Sequence, residues 1–374
     1  MKENQPIRIA QIIGKWLGGG VESVVMNYYR NIDKTKIQFD FICDSDSTDI
    51  PYDEIEKLGG KVILIPPYQK VFKYHKELKK VLKDGKYKIV HSHINTLSVF
   101  SLWAAKSAGV PVRIAHSHST TNKKEKKKNL LKQVLRPFSK LFATDYMCCT
   151  EYAGRWLFGD KIFNKGKVNI LNNAIDLDKF KYNEELRKQK RKELNISDDT
   201  IVIGHIGRFV AQKNHRFLIE IFNDLHKINN NTKLLLIGQG PLEDEMKNLT
   251  NKYKISDYVI FLGQRNDVND LYNAMDIFAL PSLYEGLGMV LIEAQCSGIK
   301  CIASSVVPKD VCITENINFL DFDSENWVNY LKGLDNKYSR KAKFNELVNK
   351  YDIKKEALKL NQMYLEMYSS EYKK

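Results

Sequence analysis

Two carboxylates and two cations carry most of the chemistry that this sequence could perform. Glu285 and Glu293 flank the run Gly286-Leu287-Gly288, and Arg208 and Lys213 fall together in Gly207-Arg208-Phe209-Val210-Ala211-Gln212-Lys213. Carboxylates accept hydrogen bonds, so they suit the hydroxyls of a sugar or a ribose. Arginine presents a planar fork to phosphate oxygens, and lysine a point charge. Glycines that open a helix leave backbone N–H groups exposed at the positive end of its dipole, where an anion can bind. The set asks for a ligand with an anionic middle and hydroxyl-rich ends, and a nucleotide sugar has that layout.

These residues must be held by strands and helices. Ile277–Leu280 reads as a buried strand, Pro281 to Gly288 as a turn, Met289–Cys296 as a helix and Lys300–Ala303 as the next strand. Glu285 is then a turn residue, and Glu293 lies roughly two helical turns further on. The basic segment follows a strand over Ile201–His205 and precedes a helix over His215–Ile228. Ile237-Gly238-Gln239-Gly240-Pro241 and Leu262-Gly263-Gln264-Arg265 are loops by composition, each after its own strand. Glu185–Leu194 reads as a highly charged, solvent-facing helix.

The half up to about Lys179 alternates in the same way. Strands are expected at Ile7–Ile13, Gln38–Cys43, Lys61–Ile65, Ile89–His91, Arg113–Ala115, Tyr146–Cys149 and Val168–Leu171, with helices such as Val21–Asn31 and Leu97–Ala108 between them. Alternation of this kind predicts a parallel, doubly wound α/β sheet with ligands beyond the C-terminal strand ends. Two such halves predict a cleft between two Rossmann-like domains.

Three features of the first half sit at strand ends. Gly18-Gly19-Gly20 lets a backbone approach a phosphate or makes a tight turn; it is neither G-x-G-x-x-G nor a P-loop. His91-Ser92-His93 and His116-Ser117-His118 bring imidazoles together if their strands are neighbours, and a metal site is one reading of them. The run Lys123 to Lys128, with Lys124, Lys127 and Lys128, leads into Asn129–Phe142, where Lys132, Arg136 and Lys140 oppose an apolar face. That pattern reads as a membrane-surface helix or as a core-packed helix with solvated lysines, disturbed at Pro137.

At 374 residues the chain has room for two domains. Its six cysteines follow no zinc or CxxC spacing and read as core thiols. No segment is long and apolar enough to span a bilayer, and Met1 to Pro6 lacks the apolar core of a signal peptide, so a cytoplasmic protein is expected. The net charge of +14 suggests an anionic partner or a lysine-rich composition.

The phrase Pro281-Ser282-Leu283-Tyr284-Glu285-Gly286-Leu287-Gly288, followed by Glu293, resembles the E-x7-E motif of glycosyltransferase family 4, which has the GT-B fold. The Gly207–Lys213 segment resembles that family's G-R-x-x-x-x-K element, Gly238 and Gly240 its G-x-G-P turn, and Gln264-Arg265 its base-contacting loop. Asn172 to Phe180 resembles its interdomain segment, with Ala174 where glycine is commoner. The nearest likeness is to bacterial exopolysaccharide and capsule enzymes.

The resemblance implies two Rossmann-like domains, 1–178 on the acceptor side and 179–352 on the nucleotide-sugar side, with a helix in 353–374 crossing back. It implies a retaining hexosyltransferase with no required metal and no cofactor. The donor would be a nucleotide sugar, UDP-linked by family frequency. The acceptor would be a saccharide, free or lipid-linked, with peripheral contact at the inner face of an anionic membrane. Arg208 and Lys213 would neutralise the diphosphate, with Gly286, Leu287 and Gly288 opening the helix beside it. Glu285 would hold the donor sugar and Glu293 the ribose. His118 would lie beside the reacting sugar, with His116 able to exchange roles, and Gly18–Gly20 would face the diphosphate.

Three rivals stand against that reading. A retaining glycosidase would need its carboxyls about 5–5.5 Å apart, which a turn residue and one deeper in the helix do not suit. A sugar-nucleotide epimerase of the same fold would release a free nucleotide sugar. A basic nucleic-acid-binding protein would need aromatics interleaved with cations or a known module, and neither is visible.

Overall fold

The structure, a computed structural model, describes residues 5–118, 132–333 and 340–372. It divides into two units, Met1–Ile175 with Lys350–Lys374, and Asp176–Asn349. The first division falls three residues before the boundary expected from the sequence.

The first unit is built on seven parallel strands: β1 (Ile7–Gly14), β2 (Ile37–Asp44), β3 (Lys61–Ile65), β4 (Ile89–Ser92), β5 (Val112–Ser117), β6 (Asp145–Cys148) and β7 (Val168–Ile170). They lie in the order β3-β2-β1-β4-β5-β6-β7. Side chains alternate between the two sheet faces, so each strand feeds two cores. Ile9, Phe39, Ile89 and Ile114 enter one cluster, and Ala10, Ile42, Val90 and Ala115 the other. The last helix, Ile353–Tyr372, packs into the first cluster through Ile353, Ala357, Leu360 and Tyr364.

The second unit has six parallel strands: β8 (Ile201–Ile206), β9 (Thr232–Ile237), β10 (Val259–Phe261), β11 (Ile277–Leu280), β12 (Lys300–Ser304) and β13 (Ile317–Leu320). Their order is β10-β9-β8-β11-β12-β13. Both sheets are therefore wound the same way, outward from β1 and then from β4, and outward from β8 and then from β11. Strand order reverses at β1/β4 and at β8/β11, and loops at such a reversal part to leave a crevice at the C-terminal strand ends.

Several elements differ from the sequence reading. Strand β13 and the helices Tyr52–Lys57, Glu151–Phe158 and Ser324–Lys332 were not expected. The charged helix, Glu184–Glu193, is not a solvated face: Lys190 and Arg191 are buried. Arg187 Nη2 and Arg191 Nη1 reach Asp276 at 2.7 and 3.2 Å, and Asp276 Oδ2 also accepts from the Val202 N–H at 2.8 Å. A buried carboxylate between two guanidiniums ties this helix to the strands, because breaking such a set would strand a charge in the core.

Of the expected basic helix, Lys124, Lys127 and Lys128 lie outside the described residues. Beyond them, residues 132–135 are helical and Arg136–Phe138 is a single 3-10 turn, so Pro137 ends the helix rather than bending it. Val134, Phe138 and Leu141 are exposed, whereas a core-packed helix would have buried them. All six cysteines are free thiols. Among the described residues no helix is long and apolar enough to cross a membrane.

Candidate functional site

The β8/β11 reversal gathers most of the singled-out residues of the second unit. Strand β8 ends at Ile206 and the chain turns through Gly207, Arg208 and Phe209 into the 3-10 turn Ala211–Lys213. Strand β11 ends at Leu280 and runs through Pro281–Gly288 into the helix Met289–Cys296. The two loops are stitched together: the Leu283 N–H donates to Gln212 O at 2.8 Å, and Gln212 Nε2 donates to Tyr284 O at 3.0 Å.

That stitching brings Lys213 Nζ to 2.6 Å from Glu285 Oε1, with side-chain exposures of 17% and 7%. Ser282 Oγ donates to the same carboxylate oxygen at 2.6 Å. The expected phosphate cation and the expected sugar carboxylate are thus neighbours. Arg208 is exposed and makes no ion pair among the described residues. Gly286 has open space where a Cβ would stand. Gly288 is the N-cap, at φ +95°, a left-handed value that a side chain would strain.

Glu293 lies within the helix Met289–Cys296, four residues past its first residue, and is partly buried. Tyr272 Oη donates to its Oε2 at 2.8 Å, and the same hydroxyl lies 3.1 Å from Val290 O. Burial pushes the Glu293 carboxyl above the usual carboxylate range, while the Tyr272 hydrogen bond and the Lys213 charge pull it back.

The glycines of the next loop serve the backbone. Gly238 sits at φ +134°, and a Cβ there would lie 2.2 Å from Gly207 O. At Gly240 a Cβ would lie 2.5 Å from Phe209 O. Phe209 N–H donates to Gln239 O at 3.0 Å and Leu242 N–H to Phe209 O at 3.1 Å. These glycines let the second loop lie flat against the first and so set the height of Arg208. In the third loop Gln264 is exposed. Arg265 has its guanidinium fork on Asp267, at 2.7 Å from both carboxylate oxygens, and reaches Glu193 at 2.8 Å. Its charge is therefore engaged by carboxylates.

In the first unit, Gly18 is at φ +66° and Gly19 caps the helix Gly20–Asn31. Glu22 Oε1 accepts from the Leu17 N–H at 3.1 Å, so the free N–H groups of this turn already have one carboxylate beside them. The two His-x-His segments do converge. His91, His93, His116 and His118 are all buried, and the His116 and His118 rings stack with centroids 3.9 Å apart.

His91, His93 and His116 each bring a ring nitrogen within 4.8 Å of the others, a spacing that could hold an ion. Their nitrogens are already at hydrogen-bond distance, with His91 Nε2 2.9 Å from His116 Nδ1 and His93 Nδ1 2.8 Å from His118 Nε2. Each of these contacts pairs one ring N–H with one lone pair, so the four nitrogens are engaged with one another rather than with a shared centre. The small cavity beside them has no carboxylate in its lining. The residues fit a neutral hydrogen-bonded set better than a cation.

Sequence reasoning missed Ser282, Tyr272 and Glu22. Ser282, three residues before Glu285 in the same turn, had the one readable signal; Tyr272 and Glu22 reach their partners only through the folded chain.

Both halves of the chain are similar to known proteins. A family model described as Glycosyltransferase Family 4 matches residues 18–179, and one described as Glycosyl transferases group 1 matches residues 187–352. The Bacillus subtilis (strain 168) protein EpsF, described as a glycosyltransferase, is 35% identical over 309 residues, covering 81% of this chain and 80% of its own. An Escherichia coli UDP-Gal:alpha-D-GlcNAc-diphosphoundecaprenol alpha-1,3-galactosyltransferase is 27% identical, covering 96% of this chain and 97% of its own. Among solved structures, Anabaena Alr3699/HepE in complex with UDP and glucose superposes with a TM-score of 0.75 at 18% identity, covering 97% of this chain and all of that one. At that identity the likeness establishes the fold, which is GT-B.

Proposed function

Because the chain belongs to glycosyltransferase family 4, we propose that it moves a hexosyl group from a nucleoside diphosphate sugar to a saccharide acceptor, with retention of configuration and without a metal ion. One observation carries the reading: the Lys213 ammonium and the Glu285 carboxylate meet at the β8/β11 reversal, beside the exposed Arg208 and the start of the Met289–Cys296 helix. A cation beside a sugar-binding carboxylate is what the junction between a diphosphate and its sugar requires.

In transfer, the bond between the anomeric carbon and the diphosphate oxygen breaks, and the acceptor oxygen bonds to that carbon on the same face. The acceptor's proton goes to the leaving phosphate oxygen. Two negative charges must be stabilised as the nucleoside diphosphate leaves. Arg208, Lys213 and the N–H groups at the helix start supply that stabilisation, and Gly18–Gly20 is a further candidate. Glu285 accepts from hydroxyls of the donor sugar, and His118 is assigned to the sugar near its reacting carbon. Glu293 accepts from the ribose, and Gln264 with the Gly263 turn takes the base. The Arg265 charge, held by Asp267 and Glu193, orders that loop. UDP is the proposed nucleotide, supported by the printed name of the E. coli relative.

A screen of nucleotide sugars by thermal stabilisation tests the reading, since a ligand bound to the folded state raises its apparent stability by mass action. One UDP-hexose is expected to raise Tm, and transfer from it is expected to survive EDTA. No response to any nucleotide sugar, or complete loss with EDTA, would overturn it.

Glu293 gives a pH prediction. It must be ionised to accept ribose hydroxyls, so kcat/KM for the donor should fall as pH drops through its raised pKa. The Tyr272 hydroxyl favours the ionised form, so Tyr272→Phe should move that acid limb to higher pH. An unmoved limb in a folded Tyr272→Phe protein would show that the hydroxyl does not act on Glu293.

We further propose a lipid-linked acceptor reached from an anionic membrane surface. The exposed Val134, Phe138 and Leu141 beside Lys132 and Arg136 support it, as does the diphosphoundecaprenol in the E. coli relative's name. Replacing Lys124, Lys127, Lys128, Lys132 and Arg136 by glutamine should reduce sedimentation with anionic vesicles; unchanged sedimentation would remove the membrane from the proposal.

A further inference from the structure

Six buried side chains of the first unit form one chain of hydrogen bonds that turns on a single carboxamide. Gln11 stands on β1 opposite His91 on β4. Its Nε2 lies 3.1 Å from Tyr364 Oη, and its Oε1 lies 2.8 Å from His93 Nε2. From Tyr364 the chain continues to His91 Nδ1 at 2.6 Å and, through His91 Nε2, to His116 Nδ1 at 2.9 Å. From His93 it continues through Nδ1 to His118 Nε2 at 2.8 Å. It stops at His116 Nε2 and His118 Nδ1, both buried and with no partner of full hydrogen-bond geometry among the described residues.

Counting protons leaves this network two arrangements. Burial holds all four imidazoles below their ordinary range, so each ring is neutral and carries one N–H. Every bond needs one donor and one acceptor. With Gln11 Oε1 facing His93, His93 donates from Nε2 and must accept at Nδ1. His118 then carries its proton on Nε2 and shows a bare lone pair at Nδ1. Along the other branch Gln11 donates to Tyr364, Tyr364 to His91 and His91 to His116, which is left with a free N–H at Nε2. Turning the carboxamide over reverses every bond: His118 then shows an N–H at Nδ1, and His116 a lone pair. The two ends are always of opposite kind.

We propose that Gln11 is a positioning residue for His118: acting through His93, and counter-held by Tyr364, it decides which His118 nitrogen bears the proton and so whether the buried Nδ1 turns an N–H or a lone pair toward Asn173. This rests on the assignment of His118 to the donor sugar. Asn173 Oδ1 is likewise buried; it favours a proton on His118 without meeting full hydrogen-bond geometry, and it is the group against which the carboxamide's preference is set. A buried lone pair set against the Asn173 carboxamide oxygen is unsatisfied whereas an N–H there is not, so the tautomer decides how firmly His118 is held beside the donor sugar.

The test measures ring-nitrogen NMR shifts of His118 in the full-length protein, alongside steady-state kinetics. In the unaltered protein the two nitrogens should be well separated, as in a single neutral tautomer. Gln11→Leu removes both ends of the carboxamide at similar bulk. It should draw the two shifts together and lower kcat at least about 10-fold, with donor KM changed far less. Tyr364→Phe, which cuts the other branch, should also move the His118 shifts although Tyr364 does not touch His118; it serves if Gln11→Leu does not fold. Unchanged His118 shifts in either folded variant would overturn the proposal, as would an imidazolium signature in the unaltered protein. Normal turnover by His118→Ala would instead refute the sugar-side assignment while leaving the tautomer coupling measurable, so the two failures are distinguishable.

Discussion

Lys213→Ala is expected to lower transfer by about 10²- to 10³-fold, the usual effect of removing one well-placed electrostatic group from a site where charge develops. The same change should also destabilise the protein. Glu285 is 7% exposed and its Oε1 is shared between Lys213 and Ser282. Without the ammonium, that carboxylate keeps the Ser282 hydroxyl and a long contact from Gln212 Nε2 at 3.5 Å and loses its counter-charge. A fully buried pair broken in this way costs about 3–5 kcal/mol, and the partial exposure of Lys213 brings the expectation down to on the order of 2 kcal/mol. Arg208→Ala separates the two effects. Arg208 is exposed and has no ion-pair partner among the described residues, so its loss should lower the rate by a similar factor and leave Tm within about a degree. Steady-state kinetics and thermal denaturation on the two variants check both statements. Normal turnover in both would remove the diphosphate assignment. A stability loss in Arg208→Ala equal to that in Lys213→Ala would show that the ion pair is not what sets the difference.

Glu285→Gln should have the opposite signature on binding. Glutamine can still accept from Ser282 but offers sugar hydroxyls a weaker acceptor than a carboxylate, because hydrogen bonds to a charged group are roughly twice as strong as neutral ones. Transfer is expected to fall by about 10²-fold. Free UDP should bind as well as before or slightly better, because Lys213 no longer has a carboxylate 2.6 Å away competing with the diphosphate. Titration calorimetry with UDP and turnover of the UDP-hexose measure the two quantities. If UDP binding disappears, Glu285 is on the nucleotide side and the sugar-side placement is wrong.

Both folds were legible because a parallel sheet writes itself into the sequence as short apolar runs separated by helical periods. Ile277–Leu280 and Lys61–Ile65 were read to the residue. What was lost lacks that signature. β13, Ile317–Leu320, is an edge strand whose apolar run is broken by the exposed Asn318 and which follows the polar Thr314-Glu315-Asn316, so it does not stand out from a loop. The helix Glu184–Glu193 looks solvated because its partner, Asp276, is more than eighty residues away in sequence, and the buried Arg187–Asp276–Arg191 arrangement exists only once the chain has folded. Charge patterning shows which residues can be wetted, but not which are paired.

The site followed the same division. Composition and spacing placed Lys213 and Glu285 in loops at strand ends, which is where the structure has them. Their contact was not legible, since it depends on the stitching of the loops through Gln212, Leu283 and Tyr284. Gly238 and Gly240 look like ligand-facing glycines in sequence; the structure gives them a second reason, the carbonyls of Gly207 and Phe209 against which no Cβ would fit. The convergence of the two His-x-His segments was conditional on β4 and β5 being neighbours, which they are. The part played by Gln11 and Tyr364 had no sequence signal, because it joins the first strand to the last helix.

The most direct measurement is a crystal structure of the protein with a UDP-hexose that stabilises it. The diphosphate is expected against Arg208, Lys213 and the N–H groups that open the Met289–Cys296 helix, with the hexose on Glu285 and the ribose on Glu293. Density for the nucleotide away from Arg208, Lys213 and that helix start would contradict the assignment of this loop cluster as the donor site.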